Sequence, residues 1–255
     1  MPKPDSRPAA LITGGASGIG LAIATLYAQR GYRVAIADVD TDNGQIAASG
    51  LERLGPAIFI PADVSHAGEA RDAVVASVTK FGKLAVVINN AGILEPEGFI
   101  LNTDAELERV IAVNLCGPVW VCKHSIAHMK QHGGGSIVNV SSIAAFVGGA
   151  EQPTYSASKA GLIGLTKALA RKYGRNNIRI NCICPGSVRD TNILLRSRGT
   201  ALTSQEKLEL TSAIPLGRIS TPQDIAEVVF FLTSPAAQAM TGAVIVVDGG
   251  EMLGS

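Results

Sequence analysis

Aromatic residues make up only 4% of this 255-residue chain, charged residues only 17%, and the formal net charge is +1. Without an excess of positive charge, or a basic run interleaved with aromatics, there is no electrostatic footprint for nucleic acid or an anionic membrane. Apolar runs stop short of the roughly 20 residues of a membrane span. The start, Met1-Pro-Lys-Pro-Asp-Ser-Arg-Pro8, lacks the apolar core of a signal peptide and reads as a disordered tail over residues 1–8. A soluble, cytoplasmic protein is expected. The four cysteines, Cys116, Cys122, Cys182 and Cys184, form no C-x-x-C pair and have no histidine at metal spacing. They read as buried reduced thiols, with Cys182 and Cys184 expected on opposite faces of one strand. His66, His124, His128 and His132 do not sit with carboxylates in a ligand pattern, so no metal is expected.

Apolar residues are 47% of the chain, a proportion suited to a parallel sheet buried on both faces. Short apolar runs at Ala10–Ile12, Tyr32–Asp38, Ala57–Ile60, Leu84–Ile88, Ser136–Val140, Ile178–Ile183 and Val244–Val247 alternate with helical stretches. The pattern predicts a doubly wound, parallel seven-stranded α/β sheet in one domain, residues 9–255. Gly31 reads as the left-handed stop of the first helix. Thr103-Asp104 reads as the cap of a segment running through Val121, and Thr221-Pro222 as a helix start. The stretch outside this alternation, about 189–220, follows a strand end where a substrate lid would sit. Its Arg189, Arg196 and Arg198 read as solvated lid charges rather than an anion site.

A glycine-rich turn, Thr13-Gly-Gly-Ala-Ser-Gly-Ile-Gly20, follows the first strand and opens a helix. Glycines at 14, 18 and 20 allow close backbone approach to a pyrophosphate, which the free amides and positive dipole end of the helix favour. Asp38 ends the second strand, 18 positions after Gly20, where a carboxylate would bond the adenosine ribose and repel a 2′-phosphate. Ser17 and Val39 supply no compensating cation, so NAD is expected over NADP. Further on, Tyr155 and Lys159 stand four apart on one helix face, with Ser142 thirteen positions before the tyrosine. An ammonium beside a phenol favours the phenolate and lowers a pKa that is otherwise about 10. The tyrosine then becomes usable as an acid or base near neutral pH.

With these motifs the chain resembles the single-domain short-chain dehydrogenase/reductases, from Leu11 to Gly250. Thr13–Gly20, including Gly14, Ser17, Gly18 and Ile19, is similar to the family's cofactor turn. Asp63-Val64 resembles its adenine-contacting pair, and Asn89-Asn90-Ala91-Gly92 its fourth-strand segment. Pro185-Gly186 resembles the turn beneath the nicotinamide, with Val188 following, and Val247-Asp-Gly-Gly250 the last strand end. One departure is visible: where the family commonly has threonine five positions past the proline stands Asp190, with Thr191 one later.

The resemblance implies a tetrad of Asn114, Ser142, Tyr155 and Lys159. Tyr155 is the expected general acid/base, Lys159 its pKa modulator and ribose ligand, and Ser142 the holder of the substrate oxygen. Asn114 would anchor a water leading from the lysine. The implied activity is NAD(H)-dependent interconversion of a secondary alcohol and a ketone, with 3-oxoacyl-thioester reduction as an alternative. An epimerase or dehydratase shares Tyr-x-x-x-Lys but resembles longer chains with other glycine spacing, and a cofactor-sensing regulator typically loses the tyrosine or lysine. Ile143–Gly149 suggests a small apolar pocket wall, and the substrate stays open among polyols, hydroxy acids, steroids and acyl thioesters. A homotetramer is expected, from the resemblance and from small and apolar residues (Val119, Val121, Ala160, Leu162, Leu165, Ala168) on two helices.

Overall fold

The computed structural model describes residues 6–96, 98–189 and 203–253. Thr191, with Asp190, Arg196 and Arg198 of the expected lid, lies outside the described residues. Seven strands, β1 (Ala9–Thr13), β2 (Arg33–Asp38), β3 (Ala57–Pro61), β4 (Leu84–Asn89), β5 (Gly135–Val140), β6 (Ile178–Pro185) and β7 (Val244–Val247), form one sheet. Their order is β3-β2-β1-β4-β5-β6-β7, with every neighbouring pair parallel. This is the doubly wound sheet the alternation predicts.

Period-two alternation divides each strand between two cores. Ala10, Ile12, Val34 and Ile36 pack with Ile23 and Tyr27 of α1 (Gly18–Gln29) and with Ile225 and Val229 of α9 (Pro222–Thr233). Ala9, Leu11, Ala35 and Ala37 face the other way, onto α3 (Ala67–Phe81) and α5 (Gly117–Gln131). The same periodicity corrects one expectation: side chains two apart on a strand share a face, and the thiols of Cys182 and Cys184 lie close enough to perturb each other. Cys122, Cys182 and Cys184 are buried and free, while Cys116 is half-buried and free.

Helix starts follow their capping residues. Thr103 and Glu106 form a reciprocal capping box for α4 (Asp104–Ile111), and Thr221 with Asp224 does the same for α9, with Pro222 at the first position. Gly31, at φ 83°, turns the chain out of α1. The segment beginning at Thr103 runs past Val121: α4 continues through a π-helical turn (Ala112–Cys116) into α5, a 28-residue helix from Asp104 to Gln131. By length and composition that helix is apolar enough to cross a membrane, but half of its most apolar window is buried inside the protein. Among the described residues the remaining α-helices are α2 (Thr41–Glu52), the short α6 (Ala144–Val147), α7 (Pro153–Tyr173) and α8 (Ser204–Ala213).

Strand order reverses between β1 and β4, because β2 and β3 lie on one side and β5 to β7 on the other. At such a switch point the loops diverge and leave a crevice beyond the strand ends. Asn90 stitches it together: its side-chain amide donates to Thr13 O at 3.1 Å and Gly14 O at 2.9 Å.

Candidate active site

Two cavities open in this crevice, of about 210 and about 260 Å³, and they share Ile19 and Asn90 as walls. The first is built on the glycine turn. Gly14 takes φ 63°, and a Cβ there would stand 2.8 Å from Ala91 Cα, so only glycine permits this approach. A Cβ on Gly20 would stand 1.9 Å from Gly14 O, so the helix start packs directly onto the turn. Ser17, Gly18 and Ile19 bring the first turn of α1 to the cavity wall, and its leading N–H groups have no intrahelical acceptor. Asp38 lines the same cavity, its carboxylate accepting from Ala16 N at 3.0 Å and Asp40 N at 3.1 Å.

At the far wall stand Asp63, Val64, Ala91 and Gly92. Asp63 accepts from Ser65 N and Oγ and pairs with Arg109 Nη2 at 2.6 Å. Partial burial pushes its carboxyl up, but the hydrogen bonds from Arg109 and Ser65 outweigh that and hold it below the usual carboxylate range. Arg109 itself lines the cavity and was not among the residues expected from the sequence. Its signal is helical spacing, since Arg109 and Val113, which also lines the cavity, lie four apart in one continuous helix.

The second cavity contains Ser142, Tyr155, Lys159, Pro185, Gly186 and Val188. Tyr155 and Lys159 project from the first two turns of α7, and Ser142 from the end of β5. Ser142 lies near enough to the Tyr155 phenol to favour its ionised form, and Lys159 Nζ sits 5.5 Å from the centre of the tyrosine ring. Lys159 donates to Val140 O at 2.9 Å, and Ser141 Oγ donates to Lys159 O at 2.7 Å. Burial pushes the phenol up to about 12 against a smaller downward pull from Ser142. The same burial draws the lysine down to about 8, because desolvation disfavours whichever form is charged. The expected lowering of the tyrosine is therefore reversed here. Lys159 is engaged by a backbone carbonyl, and desolvation outweighs any support it gives the phenolate.

Asn114 sits buried in the π-helical turn, a local widening common at functional sites. Its Oδ1 accepts from Ile93 N at 2.8 Å, while Nδ2 donates to Ile93 O at 2.9 Å and Ser158 Oγ at 3.2 Å. It thereby ties the chain after β4 to the helix carrying Tyr155. A Cβ on Gly92 would stand 3.3 Å from Lys159 Nζ and 3.4 Å from Asn114 Oδ1, which places those two groups on one side of the Asn-Ala-Gly segment.

Two carboxylates flank this centre without having been singled out in the sequence. Buried Glu95 accepts from Thr154 N at 2.6 Å, capping the start of α7 from a distant loop, while its second oxygen has no protein partner. Glu251 lines the second cavity and accepts from Ser187 N at 2.7 Å and Ser187 Oγ at 2.8 Å. Both contacts are long-range, so no local pattern reveals them.

The chain matches, over residues 14–251, the family model described as enoyl-(acyl carrier protein) reductase. It is 38% identical to the 3-oxoacyl-(acyl-carrier-protein) reductase FabG of Chlamydia pneumoniae, over 94% of this chain and 95% of that protein. It is 37% identical to the cis-4-hydroxycyclohexanecarboxylate dehydrogenase of Sinomonas cyclohexanicum, over 94% of this chain and 95% of that one. Among solved structures, the levodione reductase crystal structure superposes with a TM-score of 0.90 at 30% identity, covering 96% of this chain and 98% of the other.

Proposed function

Because this chain belongs to the short-chain dehydrogenase/reductase family, and is thereby an oxidoreductase interconverting a secondary alcohol and a ketone, we propose that its cofactor is NAD(H) and Tyr155 its general acid and base. The observation that carries the cofactor assignment is Asp38. Its carboxylate is held at the cavity wall by two backbone N–H groups, and the neighbouring Val39 side chain is exposed and uncharged. A ribose diol can donate to such a carboxylate, whereas a 2′-phosphate meets like charge. The glycine turn and the N-terminal end of α1 fit the pyrophosphate, and Asp63 with Val64 fits the adenine.

When bound, the nicotinamide supplies or takes the hydride at the substrate carbon. The chain's own groups handle the proton. Tyr155 gives its phenolic proton to the ketone oxygen, or removes the proton from an alcohol. Ser142 donates a hydrogen bond to the same oxygen, where negative charge gathers during reduction. Lys159 offers positive charge beside the phenolate as it forms, and would bond the nicotinamide ribose with the donors left over from Val140 O. Asn114 holds the turn from which a water leads away from the lysine. Pro185, Gly186 and Val188, which line the cavity, would hold the nicotinamide from below, and Thr191 is assigned to its carboxamide. Segment 189–220 acts as the substrate lid of a single domain, 9–255.

A panel of secondary alcohols with NAD⁺ and NADP⁺, read by absorbance of the reduced cofactor, tests this directly. Faster turnover with NADP⁺ would sink the cofactor assignment. Turnover without net reduced cofactor would indicate an epimerase instead. The FabG relative supports a second reading, a 3-oxoacyl-thioester reductase, and a 3-oxoacyl thioester with NADH belongs in the same panel.

The protein is further assigned to the cytoplasm as a soluble homotetramer. Val121 and Leu162 are consumed by the core, but Ala160 and Ala168 are exposed and Val119 and Leu165 half-buried, leaving small and apolar surface for symmetric pairing. Light scattering at micromolar concentration should give four times the 26.3 kDa chain mass, and a monomer would end the claim.

A further inference from the structure

Glu251 follows the tight Asp248-Gly249-Gly250 corner. There Asp248 accepts from Gly250 N at 2.8 Å and Met252 N at 2.9 Å and folds the chain back over the end of β6. The Glu251 carboxylate comes so close to that turn that a Cβ on Gly186 would stand 2.6 Å from its Oε2. Two of its acceptor positions are taken by Ser187, while a carboxylate offers about four. The side chain is half-buried and lines the same cavity as Ser142 and Tyr155. Among the described residues lining that cavity, Lys159 and Glu251 carry the charges, and the lysine is already bonded to Val140 O. The other walls are largely apolar, with Ile19, Val140, Ile143 and Val188.

We propose that Glu251 sets the substrate class: an uncharged ketone or secondary alcohol bearing a hydroxyl that donates to this carboxylate, with carboxylate substrates excluded. The inference rests on the assignment of the Tyr155 cavity as the substrate site. A hydroxyl reaching Glu251 makes a charge-assisted hydrogen bond, stronger than a neutral one. A substrate carboxylate in its place meets a fixed like charge in a partly apolar cavity, an arrangement that selects by repulsion. The preference would separate this chain from its relative named for cyclohexanecarboxylate chemistry, despite 37% identity.

A matched pair of ketones tests this, 4-(hydroxymethyl)cyclohexanone and 4-oxocyclohexanecarboxylate. Two readouts are needed: kcat/KM with NADH, and calorimetric Kd for the protein–NAD⁺ complex, which involves no ketone turnover. The unmodified protein should favour the hydroxymethyl ketone by at least about tenfold in both. Glu251→Gln should narrow that ratio by about tenfold, chiefly by improving the carboxylate, and Glu251→Ser serves if the glutamine variant does not fold. Ser187→Ala keeps the carboxylate and should keep the ratio, which separates charge from support of the turn. Preference for the carboxylate in the unmodified protein, or an unchanged ratio in the Glu251 variants, would overturn the proposal. Discrimination in Kd without turnover would uphold Glu251 and reject the Tyr155 chemistry. Turnover without discrimination would do the reverse.

Discussion

At the end of the crevice assigned to adenosine, Asp38 and Asp63 are partly exposed carboxylates held by hydrogen bonds, and Arg109 pairs with Asp63. At the catalytic end Tyr155, Lys159 and Asn114 are buried, and desolvation is the largest influence on both the phenol and the ammonium. On the function proposed above, the first arrangement selects by charge sign near water. In the second, burial favours neutral forms, which suits the proposed movement of protons between groups that do not insist on their charges. The difference teaches that the two ends are built on different physics, so if one discriminates and the other does the chemistry, substitutions at the two ends should fail in different ways.

The sharpest break is at the buried end. Tyr155→Phe removes one hydroxyl from a site that otherwise keeps its packing. Turnover should fall by about 10³-fold, within the range for loss of a general acid/base. NADH affinity, measured by fluorescence titration, should change little, because the loss is confined to the proton-transfer group. Substantial residual turnover would remove the tyrosine from its assigned role.

At the exposed end the expected effect is smaller and falls on binding. Replacing Asp38 with Ala and Val39 with Arg removes the repelling carboxylate and adds a phosphate partner. The ratio of Kd values for NADPH and NADH should shift toward NADPH by about 100-fold, corresponding to two charge-assisted contacts at roughly 1.5 kcal/mol each. The maximal rate with saturating cofactor should move far less than in Tyr155→Phe. An unchanged cofactor ratio would locate the selectivity elsewhere, with Arg109 the first residue to examine.

The same contrast governs what the sequence reveals. β1, the glycine turn, α1 and Asp38 are contiguous within thirty residues, so local spacing and turn chemistry suffice to recognise them. Tyr155 and Lys159 are equally legible as a pair four apart on one helix. Their electrostatics are not, because the pKa values depend on how deeply α7 is buried against β5 and β6, a consequence of packing. The π-helical turn at Asn114 has no proline or glycine breaker within Ala112–Cys116, and its geometry is reported only by bonds to Ile93 and Ser158. Glu95 and Glu251 reach their partners across 59 and 64 residues, separations that leave no periodic trace. Even the face shared by Cys182 and Cys184 follows from strand periodicity once that periodicity is applied correctly.

The smallest effect isolates burial itself, through the dependence of stability on pH. Lys159 has an ordinary value of 10.5 and a native value of about 8. Between these values the unfolded chain holds the proton more tightly, so unfolding free energy rises with pH there. Tyr155 acts oppositely, since its native value of about 12 exceeds 10.0 and stability is lost as pH rises above the unfolded value. Cys122, also pushed up to about 12 by burial, begins to oppose the lysine near its ordinary value of 9.0. The interval from pH 8 to 9 is therefore where the lysine stands out. Urea unfolding of the unmodified protein and of Lys159→Met, at equal concentration, should show the unmodified protein gaining about 1 kcal/mol relative to the variant over that unit of pH. The difference cancels the titration of groups that do not interact with Lys159, whereas Cys182 and Cys184, which do, are best held constant by making the comparison in a Cys182→Ser, Cys184→Ser background. Parallel stability curves would mean that Lys159 is not desolvated in the native protein, and that the catalytic end is tuned by charge pairing, as the adenosine end is.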